Sequence, residues 1–376
     1  MSYTVSEISG DKELVRKFLE LPGRLYTKKE IMQQPEEERR ILEGTHVLSH
    51  YFTVFPLLVL DERGTAVSRA VLTVYPEDPE GYLGFFESED CKEAVKLLFE
   101  KAESVAAAHG CRKITGPVDA SFWIRYRFKN SCFDRSYTGE PYNREYYVRL
   151  WQEAGYEIVE RYYSNHYRIV GRCYADPVFS SRLHQKLQEG YEIKSPSSAA
   201  FDRTLQEVYG LLIELYRNFP VYKPVSQEEF SALYSYLKPL IRYSMVKMAY
   251  EKGKPVGFFI SIPDYGNTVY GRLTPADYVR ILLTRARPRS YVMLYMGVDA
   301  SHRGLGKAMA EAIKEELQAA GVPSVGALIR QGNVNRDYFR ELVDYEYEYV
   351  LLGREIRSTE SRLHTAAALC HIRRPQ

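Results

Sequence analysis

Landmarks of the first half of the chain return in the second at a nearly constant distance, and nothing else restricts the fold as much. Tyr3 opens an alternating strand and Tyr191 opens another, 188 residues later. The hairpin glycines Gly64 and Gly253 lie 189 apart, as do Gly155-Tyr156 and Asp344-Tyr345. Gly110 and Gly321, each ending a helix, lie 211 apart. The difference of 22 is an insertion over roughly 263–290, matched by one over roughly 118–140. Three matching offsets and one order of elements imply an internal duplication, and 376 residues suit two domains better than one core.

Periodicity fills in the order. The first half reads as a strand at Tyr3 to Ile8, then an amphipathic helix with Leu14, Val15, Phe18 and Leu19 on one face. Residues 30–45, polar and charged, read as a helical surface segment or a lid. A hairpin (Pro56 to Leu60, Ala66 to Val74) and a strand at Gly81 to Phe86 follow. Next are a helix at Asp90 to Ala108, a strand at Arg112 to Thr115, a helix at Asn143 to Ala154 and a closing strand pair over 157–172. Residues 174–190 read as a linking helix. The second half repeats the series: Tyr191 to Lys194, helix Phe201 to Asn218, hairpin Tyr243 to Tyr250 and Pro255 to Ile262, and strand Tyr291 to Val298. A helix after Gly304, a strand at Ser324 to Ile329, a helix at Asn335 to Val343 and a strand at Tyr345 to Leu352 complete it.

Composition narrows the class. Apolar content of 45 % and charged content of 27 % are globular. A net charge of +2 carries no nucleic-acid footprint. Cysteines 91, 111, 132, 173 and 370 show neither a C-x-x-C nor a zinc-spaced histidine, so no metal is expected and they read as reduced thiols of a cytoplasmic protein. The first residues carry no signal pattern, and no apolar run reaches the length of a membrane span.

The stretch with chemistry in it is Tyr291-Val-Met-Leu-Tyr-Met-Gly-Val298-Asp-Ala-Ser-His-Arg303-Gly304-Leu305-Gly306-Lys307-Ala308. An apolar strand enters a basic glycine turn, and the turn enters a helix whose first N–H groups lack acceptors, an arrangement that holds phosphate. The glycines alone would also serve a plain tight turn; Arg303 and Lys307 add positive charge beside the helix dipole. A dinucleotide site needs a third glycine and an acid after the next strand, which ends in Arg330. A P-loop needs Gly-Lys-Ser/Thr, but Ala308 follows Lys307.

This order of elements, with Arg303, Gly306 and Ala308 in an Arg/Gln-x-x-Gly-x-Gly/Ala signature, resembles the GNAT family of acyl-CoA N-acyltransferases over roughly 190–356. The resemblance implies an α/β (α+β) fold of two tandem GNAT-like domains, each a mixed, mostly antiparallel central sheet flanked by helices. The domains would be a degenerate one over 1–173, a linking helix over 174–190, and one with an intact loop over 191–376. It implies that the backbone of Met296, Gly297 and Val298 pairs with the pantetheine arm of acetyl-CoA. N–H groups from Arg303 through Gly304, Leu305, Gly306, Lys307 and Ala308 would hold its pyrophosphate. Asn333 matches a conserved family asparagine. The family's proton-donating tyrosine falls on Arg340; Tyr338 is two residues away, about 200° round if the segment is helical. In the first half Asn143 to Tyr156 resembles the family's later helix, but Glu87-Ser-Glu89-Asp90 stands where a phosphate loop would be and would repel a pyrophosphate. Gly84-Phe-Phe-Glu-Ser88 and Gly139-Glu-Pro-Tyr-Asn143 resemble a bacterial tandem-GNAT group.

The implied function is transfer of an acyl group, acetyl first among them, to a small-molecule or peptide amine, with neither nucleic acid nor membrane as partner. A sensory protein that only binds acyl-CoA and a Fem-type aminoacyl transferase are the alternatives. Asp264 is the candidate base, and Tyr291 and Tyr295 are candidate cleft residues. Arg272, Arg280, Arg285, Arg287 and Arg289 form either a solvated face or a site for acidic groups. The two insertions are expected to meet over the cleft.

Overall fold

The computed structural model describes residues 2–28, 30–270 and 273–356; Arg272, Cys370 and the tail from Arg357 lie outside them. The first half runs β1 (Tyr3–Glu7), α1 (Lys12–Leu25), α2 (Pro35–Leu42), β2 (Thr53–Asp61), β3 (Ala66–Val74), β4 (Glu80–Ser88), α3 (Lys92–Ala108), β5 (Lys113–Gly116), β6 (Phe128–Lys129), α4 (Tyr147–Glu153) and β7 (Glu157–Tyr167). The second runs α5 (Pro177–Gln188), β8 (Tyr191–Lys194), α6 (Phe201–Leu215), α7 (Gln227–Tyr234), β9 (Val246–Glu251) and β10 (Lys254–Pro263). It continues with α8 (Pro275–Ala286), β11 (Tyr291–Val298), α9 (Leu305–Ala320), β12 (Ser324–Arg330) and β13 (Val343–Glu355). The helices α7 and α8 were not foreseen.

The duplication shows in the ladders. Parallel β4 and β5 pair Glu80, Gly81 and Tyr82 with Lys113, Ile114 and Thr115. Parallel β11 and β12 pair Tyr291, Val292 and Met293 with Ser324, Val325 and Gly326, each 211 residues later. The other strand pairs are antiparallel. The central sheets of the two halves run on into one, in the order β1-β2-β3-β4-β5-β13-β7-β12-β11-β10-β9-β8, with β6 beside β13. The last strands are exchanged: β13 closes the first half against β5, and β7 closes the second against β12. These two long strands pair with each other from Val343 to Gly353, so neither half presents its inner edge to water.

Two local readings need correction. Residues 157–172 hold one strand, β7, because its partners come from the other half. Residues 335–343 are not a helix but two 3-10 turns, Val334–Asp337 and Arg340–Leu342, broken by Phe339 at φ 49°. Arg336 and Arg340 both reach Glu346 at the start of β13, and this pair of contacts folds the segment back on itself. The helix α4 starts late because the side chain of Asn143 is engaged elsewhere, accepting from the backbone N–H of Lys129 at 2.6 Å.

Burial follows the layers. The helices α3 and α4 cover one face of the first half, with Trp151 and Phe99 fully enclosed. The helices α5 and α9 cover the equivalent face of the second half. A shared cluster on the opposite face joins α1 and α2 to α6 and α7. Each large side chain so enclosed contributes about 1.5–3 kcal/mol.

Candidate active site

The parting of β11 from β12 makes the site. After Met293 and Gly326 the two strands diverge, each at an irregularity. On β11 the register against β10 skips Leu294. Tyr291, Met293, Met296 and Val298 therefore face α9, while Leu294 and Tyr295 both face α6. On β12 the register against β7 shifts between Gly326 and Ile329, with Leu328 at φ 60° donating its N–H to Ser164 Oγ. A cavity of about 400 Å³ opens between the strands. Met296, Gly297 and Val298 form one wall; Gly306 and Ile313 of α9 and Tyr338 form another.

The loop from β11 to α9 is built on backbone. Asp299 accepts from the N–H and hydroxyl of Ser301 at 2.9 and 2.8 Å, which holds its carboxyl below the usual range. Gly304 turns the chain at φ 83°, and no side chain caps α9. The N–H of Leu305 returns to the His302 carbonyl at 3.1 Å, while those of Gly306 and Lys307 are first-turn donors without a helical acceptor. A Cβ on Gly306 would sit 3.1 Å from Met296 Cε and 3.2 Å from the Tyr338 hydroxyl, so glycine keeps the helix start open to a ligand. Arg303 is exposed, Lys307 lies over the Phe179 ring, and Ala308 is buried. The linking helix α5 adds cations that the sequence did not suggest: Arg182 Cδ is 3.3 Å from the Cβ position of Gly304, with Lys186 behind it. The His302 ring is tied to the Tyr191 hydroxyl at 2.8 Å.

The two catalytic candidates part company. Without a helix, Tyr338 does not turn away from the loop but lines the cavity. Burial raises its hydroxyl, so it stays protonated at neutral pH and can donate. Arg340 is half exposed, bound to Glu346 at 2.9 Å and outside the cavity wall. With Arg336, it holds the Glu346 carboxyl down at about 2. Asn333 reaches the wall, and its side-chain oxygen accepts from the N–H of Asn335. Tyr291 is 1 % exposed and packs under α9.

Asp264 stands outside the cavity wall and latches the two insertions. It accepts from the N–H and hydroxyl of Thr138 and from the N–H of Gly266. The two insertions do meet there, and Gly139 donates to the Tyr270 hydroxyl at 2.6 Å. A Cβ on Gly139 would come within 2.9 Å of Leu294, the bulged residue of the cleft. Among the described residues, no Asp, Glu or His lines the cavity, and none of Arg280, Arg285, Arg287 and Arg289 does. Sequence reasoning missed Tyr167, which the exchanged β7 brings into the wall and whose hydroxyl donates to the Tyr338 carbonyl at 3.1 Å.

The first half has the same parting, filled. The segment after β5 returns to β4: Val118 donates to the Leu83 carbonyl at 2.9 Å, and Phe85 donates to Asp119 at 2.5 Å. A Cβ on Gly84 would lie 1.9 Å from the Val118 carbonyl oxygen. Glu87, 2 % exposed, accepts from Tyr26, Gln33 and Tyr147, and burial raises its carboxyl.

This is the fold of a tandem GNAT protein. A tandem GNAT protein from the clavulanic acid biosynthesis pathway superposes with a TM-score of 0.52 at 12 % identity, over 95 % of this chain and all of that one. The glucosamine N-acetyltransferase region of a fungal multi-domain β-N-acetylglucosaminidase gives 0.53 at 15 % identity, over 94 % of this chain and 38 % of that one. A probable N-acyltransferase from Enterococcus faecalis V583 gives 0.50 at 12 %, over 95 % and 73 %. No family model matches the sequence, and no curated protein does. Among the described residues there is no group of three or more His, Cys, Asp or Glu placed to hold a metal, and no helix is long and apolar enough to cross a membrane.

Proposed function

We propose that the chain is an acyl-CoA-dependent N-acyltransferase, with acetyl-CoA as donor, acting on a small-molecule or peptide amine through its second half. The observation that carries this reading is the uncapped, glycine-bearing start of α9 opening onto the parted strands β11 and β12. First-turn N–H groups with Arg303, Lys307 and Arg182 suit a pyrophosphate. The free edge of Met296 to Val298 suits an extended arm. The amine attacks the thioester carbonyl, the carbon–sulfur bond breaks, and the departing thiolate takes the Tyr338 proton. With no carboxylate or imidazole among the described residues of the wall, the proton lost by the amine leaves through water. The thiol-bearing Cys91, Cys111, Cys132 and Cys173, unbridged in the structure, suit a cytoplasmic setting.

The bare wall also favours a second reading, a protein that binds acyl-CoA without transfer. Release of free thiol from acetyl-CoA across a panel of amines separates the two. Tyr338→Phe is expected to lower kcat about 100-fold with acetyl-CoA affinity within twofold. Equal kcat in the variant removes Tyr338 as the acid, and no amine-dependent thiol from the wild type supports binding alone.

A further inference from the structure

The helix α8, in the second insertion, turns its apolar face outward. Its start is fixed by its own sequence. The Thr274 hydroxyl oxygen accepts from the Asp277 N–H at 3.3 Å, and the Asp277 carboxylate accepts from the Thr274 N–H at 2.9 Å. Pro275 fills the first turn. Of the residues of α8, Ile281 alone is buried, in the cluster shared with α6 and α7. Tyr278, Val279, Leu282 and Leu283 are 57–64 % exposed. At about 100° per residue these four span an arc of about 140°, turned away from Ile281. The other large apolar side chains left exposed among the described residues stand singly along the chain.

Arginines edge the arc on both sides, Arg285 about 20° beyond Tyr278 and Arg280 about 60° beyond Leu283. Arg287 and Arg289 follow the helix, and both are exposed. From Pro275 to Ser290 these four arginines face one acid, Asp277, which lies 3.9 Å from Arg280. The Arg285 guanidinium donates to the Pro239 carbonyl at 3.2 Å, a contact that leaves its charge uncompensated.

The apolar face of a helix in a globular protein points inward, and one left in water marks a docking surface. We propose that α8 docks on an anionic phospholipid surface, with Tyr278, Val279, Leu282 and Leu283 in the apolar layer and the arginines at the headgroups. The assignment does not depend on the acyltransfer reading. A bilayer is apolar within and negative at its surface, so it meets the arc and both of its charged edges at once. Arginine can lay its stem along the apolar layer and keep its head among phosphates. Other occupants fit the charge poorly. A second copy related by a two-fold axis would set these arginines against the same arginines. The segment 357–376, with four arginines and one acid, would be repelled in the same way.

The test is co-sedimentation of the full chain with vesicles of phosphatidylcholine alone and of phosphatidylcholine mixed with phosphatidylglycerol, at low and at high salt. Binding to the mixed vesicles is expected to be about tenfold tighter than to the neutral ones, and to weaken in high salt. Leu282→Gln with Leu283→Gln, at two exposed positions, is expected to keep the wild-type Tm and to bind mixed vesicles about tenfold more weakly. Arg280→Gln with Arg287→Gln is expected to lose about tenfold on mixed vesicles and nothing on neutral ones. Poly-L-glutamate, offered in place of vesicles, stands for an acidic protein partner. The proposal is overturned if mixed vesicles do not bind, if mixed and neutral vesicles bind alike, if either variant binds like the wild type, or if poly-L-glutamate binds as tightly as the mixed vesicles. It is also overturned if light scattering shows a dimer that the leucine variant disperses, which would give the face to a second copy.

Discussion

The two halves part the same pair of strands at the same place and then do opposite things with the gap. In the first half Val118 and Asp119 fold back and hydrogen-bond to β4, so the chain occupies its own cleft. In the second, β12 leans toward β7 and leaves about 400 Å³ open beside an uncapped helix. The loops match these fates. Glu87, enclosed and bonded by three side chains, serves as structure where the second half presents bare N–H groups. A duplicated fold can thus keep its frame in both copies and an open cleft in one. The exchanged strands bind the copies together, so the closed half supplies Tyr167 to the open one.

The comparison can be broken at several points. The largest effect is expected at the filled gap: Gly84→Ala forces a Cβ onto a backbone carbonyl that cannot move away, at about 3 kcal/mol of stability by chemical denaturation. Gly326→Ala meets only the ring edge of Tyr167 at 3.0 Å and the end of Met293 at 3.6 Å, beside open space. It is expected to cost about 1 kcal/mol, and equal costs would mean that the two gaps are equally full. A finer effect is expected at the seam, where β6 and β13 place Lys129, Glu140 and Tyr349 in contact. Burial outweighs the attraction of Lys129 and raises the Glu140 carboxyl to about 7. A carboxyl raised above its unfolded value of 4.5 binds protons that the unfolded chain releases. Its contribution to stability is present below pH 4.5 and lost as pH rises through 7. Glu140→Gln is expected to flatten that stretch of the stability–pH profile, and an unchanged slope would assign it elsewhere.

Much of this was legible in the residues because it depends on local chemistry. The glycine turn at Gly304 and Gly306, the hairpins at Gly64 and Gly253, and the long helices each follow from neighbours in sequence. The offset of 211 read from Gly110 and Gly321 returns in the ladders of β4–β5 and β11–β12. What stayed hidden depends on distant partners. The exchange of β7 and β13 is a choice between two well-matched partners, and strand patterning cannot rank them. The break at Phe339 follows from Arg336 and Arg340 sharing Glu346, a contact made only once β13 is in place. Tyr338 therefore looked misplaced by helical spacing that the segment never adopts.

The central claim is that one half holds the coenzyme and the other cannot. Isothermal titration of the full chain with acetyl-CoA tests it most directly. The account predicts one site per chain, weakened about 100-fold or more in Gly306→Glu, where a carboxylate enters the phosphate position. Two sites per chain, or a Gly306→Glu variant that binds like the wild type, would contradict it.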